Sequence, residues 1–274
     1  MKYLFLLFIL CISLAYSQKS NEHIKGKDFI VGKSYLIFQN DTYLYKKPSV
    51  DSKIVKPLLA GEKLEVEELT TVTSGSGTNL GIYLKVKTKD NKTGFVSSTD
   101  LSLGYFEAAN GSFILYQKQK HVEETLLHFN TLSANGEVTF LGPFDFENLD
   151  FMLSLYDNRG LSRINHILTI SYQTYDCDGP PSVKYLSLNL EENELLQVAL
   201  LKNYCPDEKY STLQKLIFPE ESDGVENAIV YYSSKKKLLD KKNQEYKTHI
   251  FTRVYRWSSG SIMEPINEYQ WSIF

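Results

Sequence analysis

The chain has 274 residues, 42% of them hydrophobic and 23% charged, with a formal net charge of −3. This is the composition of a globular protein of one or two domains. It excludes a disordered chain, and it excludes a global basic field that would draw in nucleic acid or an anionic membrane surface. Aromatic residues make up 13%, and tyrosine leads with 19 copies. Tyr and Phe suit a half-buried pleated surface, so an all-β chain is expected.

At the N-terminus Lys2 supplies a positive charge and Tyr3 to Leu14 is an apolar run. Ala15-Tyr16-Ser17 then places small residues at −3 and −1 of a cleavage site before Gln18. The pattern is that of a secretory signal peptide over residues 1–17, and the run is too short to span a bilayer comfortably. The competing reading is an uncleaved anchor. Leu10 stands directly before Cys11, where lipid-attachment signals carry a small residue, so lipidation at Cys11 is not expected. No later segment is apolar enough for a membrane helix. The destination is therefore outside the cytoplasm: periplasmic, cell-surface or secreted.

Residues 18–33 are polar and without periodicity, a lead-in. Residues 34–103 hold a set of short strands. Leu64, Val66, Leu84, Val86, Phe95 and Leu101 are spaced to meet in one small core. Gly61 and Gly94 fall where a tight turn or a close backbone approach is wanted. A polar stretch, Thr70 to Gly81, reads as an inserted loop. Several segments in order carry a resemblance: Thr42-Tyr43-Leu44-Tyr45-Lys46-Lys47-Pro48-Ser49, Leu58 to Val66, Tyr83-Leu84-Lys85-Val86-Lys87, and Lys92-Thr93-Gly94-Phe95-Val96 through Leu101. Together they resemble the bacterial SH3 (SH3b-like) domain over about a quarter of the chain. The resemblance implies a small β-barrel found in exported and cell-wall proteins, some of which bind peptidoglycan. Tyr83 and Phe95 stand where that family usually has Trp. On this basis Tyr43, Tyr45, Pro48 and Tyr83 are candidates for an aromatic binding strip; the competing reading is that they only cover the barrel.

Gly104 to Ser112 reads as a junction, and residues 110–274 as a larger antiparallel β domain. Its candidate strands are Phe113–Gln117, Glu124–Asn130, Val138–Leu141, Leu149–Tyr156, Asn165–Tyr175, Val183–Leu190, Glu194–Lys202, Thr212–Phe218, Ala228–Ser233, Tyr246–Trp257 and Asn267–Ile273. Turn chemistry separates them, as at Asn135-Gly136 and Asp157-Asn158-Arg159-Gly160. Many short strands with short connections point to a meander sandwich, a barrel or a propeller-like array. Glu191–Lys202 also fits a helical period.

Three cysteines are present, and Cys11 lies within the signal. The remaining pair, Cys177 and Cys205, suits a disulfide in an oxidising compartment. Their midpoint, residue 191, falls in the turn Glu191-Glu192-Asn193, so an antiparallel hairpin would set them opposite one another near its open end. A loop of that length stabilises by roughly 3–4 kcal/mol on the chain-entropy model. The competing reading is two separate buried thiols.

Little in the chain speaks for catalysis. His23, His121, His128, His166 and His249 show no metal-ligand spacing, and no cofactor is expected. There is no nucleophile elbow, phosphate loop or dinucleotide fingerprint. Asp145, Glu147, Asp150, Asp176, Asp178 and Glu191 include potential hydrolytic pairs, but their plainest role is in solvated turns. Along His249–Trp257, alternation sets Phe251, Arg253, Tyr255 and Trp257 on one face, a second candidate binding strip through stacking and cation–π contact. The alternative is a core face with Arg at its rim. Lys235-Lys236-Lys237 reads as a solvated hairpin tip. The expectation is an exported, non-enzymatic binding protein of the bacterial cell envelope, with peptidoglycan or an exported protein as partner. Two rivals stand beside it: a cell-wall glycan hydrolase using carboxylates of the second domain, and a structural or inhibitory interaction module.

Overall fold

A computed structural model describes residues 22–25, 28–75, 80–120, 125–146, 150–173, 181–202, 210–240, 242–243, 245–258 and 266–267. The signal segment 1–17, Cys177, Cys205, His121, Glu147, Asp176 and Asp178 lie outside the described residues. The strands in chain order are β1 (Glu22–Lys25), β2 (Ser34–Leu36), β3 (Thr42–Tyr45), β4 (Ile54–Leu58), β5 (Lys63–Ser74), β6 (Gly81–Thr88) and β7 (Thr93–Ser97), then a 3₁₀ turn Ser98–Asp100. They continue with β8 (Gly104–Glu107), β9 (Phe113–Lys120), β10 (Thr125–Leu132), β11 (Val138–Phe146), β12 (Phe151–Tyr156), β13 (His166–Tyr172), β14 (Ser182–Asn189) and β15 (Glu194–Leu201). The last four are β16 (Tyr210–Ile217), β17 (Ala228–Asp240), β18 (Glu245–Arg256) and β19 (Ile266–Asn267). The fold is all-β.

Four sheets stack in order. The first, β2-β5-β6-β7-β3-β4, curls around Ile37, Leu44, Leu58, Leu64, Val66, Leu84, Val86, Val96 and Leu101, and an Ile37–Leu101 bridge draws its ends together. The second sheet is β11-β10-β9-β8. One of its faces meets the first sheet through Leu115 and Leu132 against Leu36 and Phe38. Its other face supplies Ile114, Tyr116, Leu127 and Phe129 to a core shared with the third sheet, β1-β12-β13-β14-β15-β19. That third sheet is covered twice. In β13, Leu168 and Ile170 face the second sheet, while Ile167 faces the fourth sheet, β16-β17-β18. Burial on both sides explains why β13 places the apolar Ile167 and Leu168 side by side instead of alternating strictly.

Polar groups lock the layers as well. Gln117 on β9 is buried, and its Nε2 donates to the carbonyls of Thr99 and Leu101 (3.2 Å to the latter). Asn130 Nδ2 donates to the Phe38 carbonyl at 2.9 Å. Buried Lys184 on β14 reaches Asp145 on β11, with Nζ 2.6 Å from Oδ1 and 2.7 Å from the backbone carbonyl. This last contact ties the second sheet to the third.

Several expectations are revised. Phe95 does not enter the small core: Gly94 and Val96 face inward and Phe95 faces out. A Cβ on Gly94 would sit 2.6 Å from the Tyr45 carbonyl and 2.7 Å from Leu44 Cγ, so the close approach of β3 fixes which residues of β7 point in. Residues 70–74 continue β5 instead of opening a loop: Thr73 and Ser74 pair with Ile82 and Gly81 of β6, across a bulge from the Leu69–Leu84 pair. The junction contains β8, and the lead-in contains β1, which pairs with β12 through backbone bonds that its polar sequence does not advertise. Residues 194–201 form strand β15, in line with the candidate strand Glu194–Lys202, and the alternative helical period is not realised. Lys235–Lys237 lie within β17, paired to Lys247–His249 and to Tyr210–Thr212.

Candidate functional site

The outer face of the first sheet gathers the candidate aromatics. Alternation along β3 buries Leu44 and leaves Tyr43 and Tyr45 half-buried on the outside. Their rings lie 6.3 Å apart at 57°. Tyr45 is opposite Phe95 of β7, which is in turn opposite Lys85 of β6. Tyr83 is two residues before Lys85 on the same side, opposite Ser97. One pleated face therefore carries Tyr43, Tyr45, Phe95, Lys85 and Tyr83.

Tyr83 is only 3% exposed although it faces away from the barrel core. The segment between β3 and β4 folds over it, with Pro48 half-buried and the Val50 backbone hydrogen-bonded to the Tyr83 hydroxyl. Local bonds hold that segment: Lys46 N to Lys53 O at 2.9 Å, Ser49 N to Lys47 O at 2.8 Å, and Lys47 N to Ser52 Oγ at 2.9 Å. The strip thus has a floor, Tyr83, and a half-buried part, Tyr43, Tyr45 and Phe95.

Carboxylates border these rings. Asp100 ends the 3₁₀ turn, whose N-terminus is capped by Ser97 accepting from Thr99 N. Burial raises the Asp100 carboxyl to about 6, against the opposing effect of Gln39 Nε2, which donates to Oδ1 at 3.4 Å. The Tyr45 hydroxyl is raised by burial and then by the charges of Asp100 and Tyr43. The Tyr83 hydroxyl is raised by burial and then by Tyr45, Asp100 and Asp51. Aromatic faces beside carboxylates can stack on a sugar ring or hold an ammonium group, and Asp51 and Asp100 can accept its hydrogen bonds. Phe95 and Asp100 belong to this face although sequence reasoning placed Phe95 in the core and passed over Asp100. The Gly94–Leu44 contact that turns Phe95 outward is a tertiary event with no local signature.

The second candidate strip divides. Phe251 is 48% exposed and its ring lies 6.0 Å from that of Tyr231. The Arg253 guanidinium sits 5.1 Å from the centre of the Tyr255 ring. Tyr255 packs on the core between the third and fourth sheets. Trp257 is buried in that core, and its Nε1 donates to the Ser162 carbonyl at 2.9 Å. Phe251 and Arg253 remain at the surface and the other two serve packing.

Among the candidate carboxylates, Asp145 is held below its ordinary range, first by the hydrogen bond from Lys184. Among the described residues no group of three His, Cys, Asp or Glu side chains is placed to hold a metal ion. No described helix is long and apolar enough to cross a membrane.

A family model described as Lipoprotein LenA matches residues 3–115, which is less than half of the chain. The match runs from the N-terminal apolar segment through the whole first sheet and β8 into β9. No curated protein and no solved structure matches the chain.

Proposed function

We propose that this chain is an exported, non-catalytic binding protein of the bacterial cell envelope, in which the first sheet is an SH3-like module that offers its outer face to a cell-wall peptide or glycan. The observation that carries this is the half-buried aromatic face of Tyr43, Tyr45 and Phe95 on the outside of the sheet, bordered by Asp51 and Asp100. Aliphatic side chains fill most of the core of this sheet; three rings on its outside, next to carboxylates, suit a stacked sugar or an amine-bearing peptide. The 3₁₀ turn and the Ile37–Leu101 closure support an SH3-like topology. The match to a lipoprotein family supports export. A non-catalytic role is supported by the engagement of Asp145 with Lys184, which takes that carboxylate out of use as an acid or base.

The test is co-sedimentation of the full mature chain with purified peptidoglycan, alongside Tyr43→Ala/Tyr45→Ala. Retention of the native chain and at least a tenfold loss in the double variant is the expected result. Equal retention of both would move the ligand elsewhere, and release of soluble muropeptides would favour the hydrolase.

A second reading concerns anchoring and rests on the family match. Cys11 is the only cysteine within residues 3–115. A lipid-anchored form of this chain would carry its acyl chains there, despite Leu10. Intact-mass measurement separates the two outcomes: a mature chain starting at Gln18 without modification, or one starting at Cys11 with added diacylglycerol and acyl mass.

A further inference from the structure

β18 is the outermost strand of the fourth sheet, and eleven of its twelve residues are exposed. Trp257 N donates to Asn227 O at 2.8 Å, which continues the β17–β18 register and sets the phase of its ladder. By alternation, the odd-numbered residues 247–255 bond inward to β17. The backbone groups of Thr248, Ile250, Thr252 and Val254 then point outward along the edge. Among the described residues no strand pairs with that edge.

The two sides of this edge differ. On one lie Tyr246, Ile250 and Val254, which are 51%, 65% and 53% exposed. On the other lie Lys247, His249, Phe251 and Arg253, with Lys235 and Lys237 of β17 directly opposite His249 and Lys247. Residues 228–256 carry eight lysines and arginines against two carboxylates, Asp240 and Glu245, in a chain whose net charge is −3. Asp240 is already used: it accepts from Lys242 N at 2.8 Å and Asn243 N at 3.2 Å to close the hairpin tip. A flat, exposed, partly apolar edge is a template for strand addition. Two copies of β18 would bring like charges together, which disfavours self-pairing and selects an acidic partner.

We infer that β18 is a docking edge for an extended acidic segment of a partner protein, which adds as a fourth strand with acidic and apolar side chains in alternation. The acidic set would lie beside Lys247 and Arg253, and the apolar set beside Tyr246, Ile250 and Val254. This surface is separate from the tyrosine face of the first sheet, so either assignment can fail without the other.

The test uses the full mature chain and a capped ten-residue peptide alternating Glu and Val, read by fluorescence anisotropy and by hydrogen exchange of residues 245–256. Binding should be saturable and weaken at least tenfold between 50 and 300 mM salt. It should slow exchange along β18 and fall at least tenfold for Lys247→Glu/Arg253→Glu. The same peptide N-methylated at alternate residues keeps its charge and loses one edge of backbone donors; it should not bind. Equal binding of the N-methylated peptide, protection confined to another strand, or concentration-dependent dimerisation that protects β18 without peptide would each overturn the proposal.

Discussion

Single side chains set two opposite responses to pH. Asp100 keeps its proton to about pH 6 in the folded chain, whereas an unfolded aspartate loses it near pH 4. Between those values the native state binds the extra proton, so this contribution is complete below about pH 4 and lost as pH rises through about 6. Asp145 runs the other way: its carboxyl is held low by Lys184, so its contribution is present above about pH 4 and lost as acid protonates it. Asp100→Asn should flatten the decline between pH 4 and 6 and leave the variant more stable at pH 7 by about 1–2 kcal/mol. Urea unfolding at a series of pH values checks this, and parallel profiles for native and variant chains would count against it. The Lys184–Asp145 pair is asymmetric, since the Lys184 side chain is 3% exposed and that of Asp145 is 71% exposed. Asp145→Ala leaves a buried ammonium with the residue 145 backbone carbonyl but without its carboxylate, whereas Lys184→Met leaves a carboxylate in water. The first should therefore cost more, by about 1–3 kcal/mol, in the same unfolding assay. At Gly94, Ala would collide with the Tyr45 carbonyl and Leu44, and a loss of about 2–3 kcal/mol is expected in thermal unfolding.

Elements were the most legible level. Most strands from β9 to β18 lie where candidate strands and turn chemistry put them, and the hairpin β14–β15 turns where Glu191-Glu192-Asn193 indicated. Its last pair, Val183 with Leu201, lies six residues after Cys177 and four before Cys205. Non-reducing peptide mapping of the mature chain should therefore link Cys177 to Cys205; two freely alkylated thiols would reject the link. What failed to show was pairing with no signal in the local pattern. Glu22–Lys25 has no apolar rhythm in sequence, yet it pairs antiparallel with β12. The extension of β17 through Lys235–Lys237 has no signature in the pattern, because a lysine run fits a hairpin tip and a water-facing sheet equally well. Of the first candidate strip, Tyr43, Tyr45, Pro48 and Tyr83 come from the resemblance to the bacterial SH3 domain, and period two along β3 accounts for Tyr43 and Tyr45 sharing a face. Phe95 was not among them, because a glycine contact decided the inward phase of β7.

At the scale of the molecule, the small barrel is not a bead on a string. Leu36 and Phe38 bury themselves against Leu115 and Leu132, a Cβ on Gly61 would overlap Leu132, and Gln117 and Asn130 donate to carbonyls of the first sheet. These contacts cross the boundary near residue 103. Residues 34–103 cut from the chain would expose that apolar surface. The fragment should melt several degrees below the same sheet in the full chain, as judged by hydrogen exchange of Leu84 and Val86, and equal protection would speak for an independent unit.

The most direct examination of the binding account is hydrogen exchange on the full mature chain with and without soluble peptidoglycan fragments. Slowed exchange confined to residues 43–51, 83–85 and 95–100 is the expected footprint. Unchanged exchange there, in a sample shown to have bound the fragments, would contradict it.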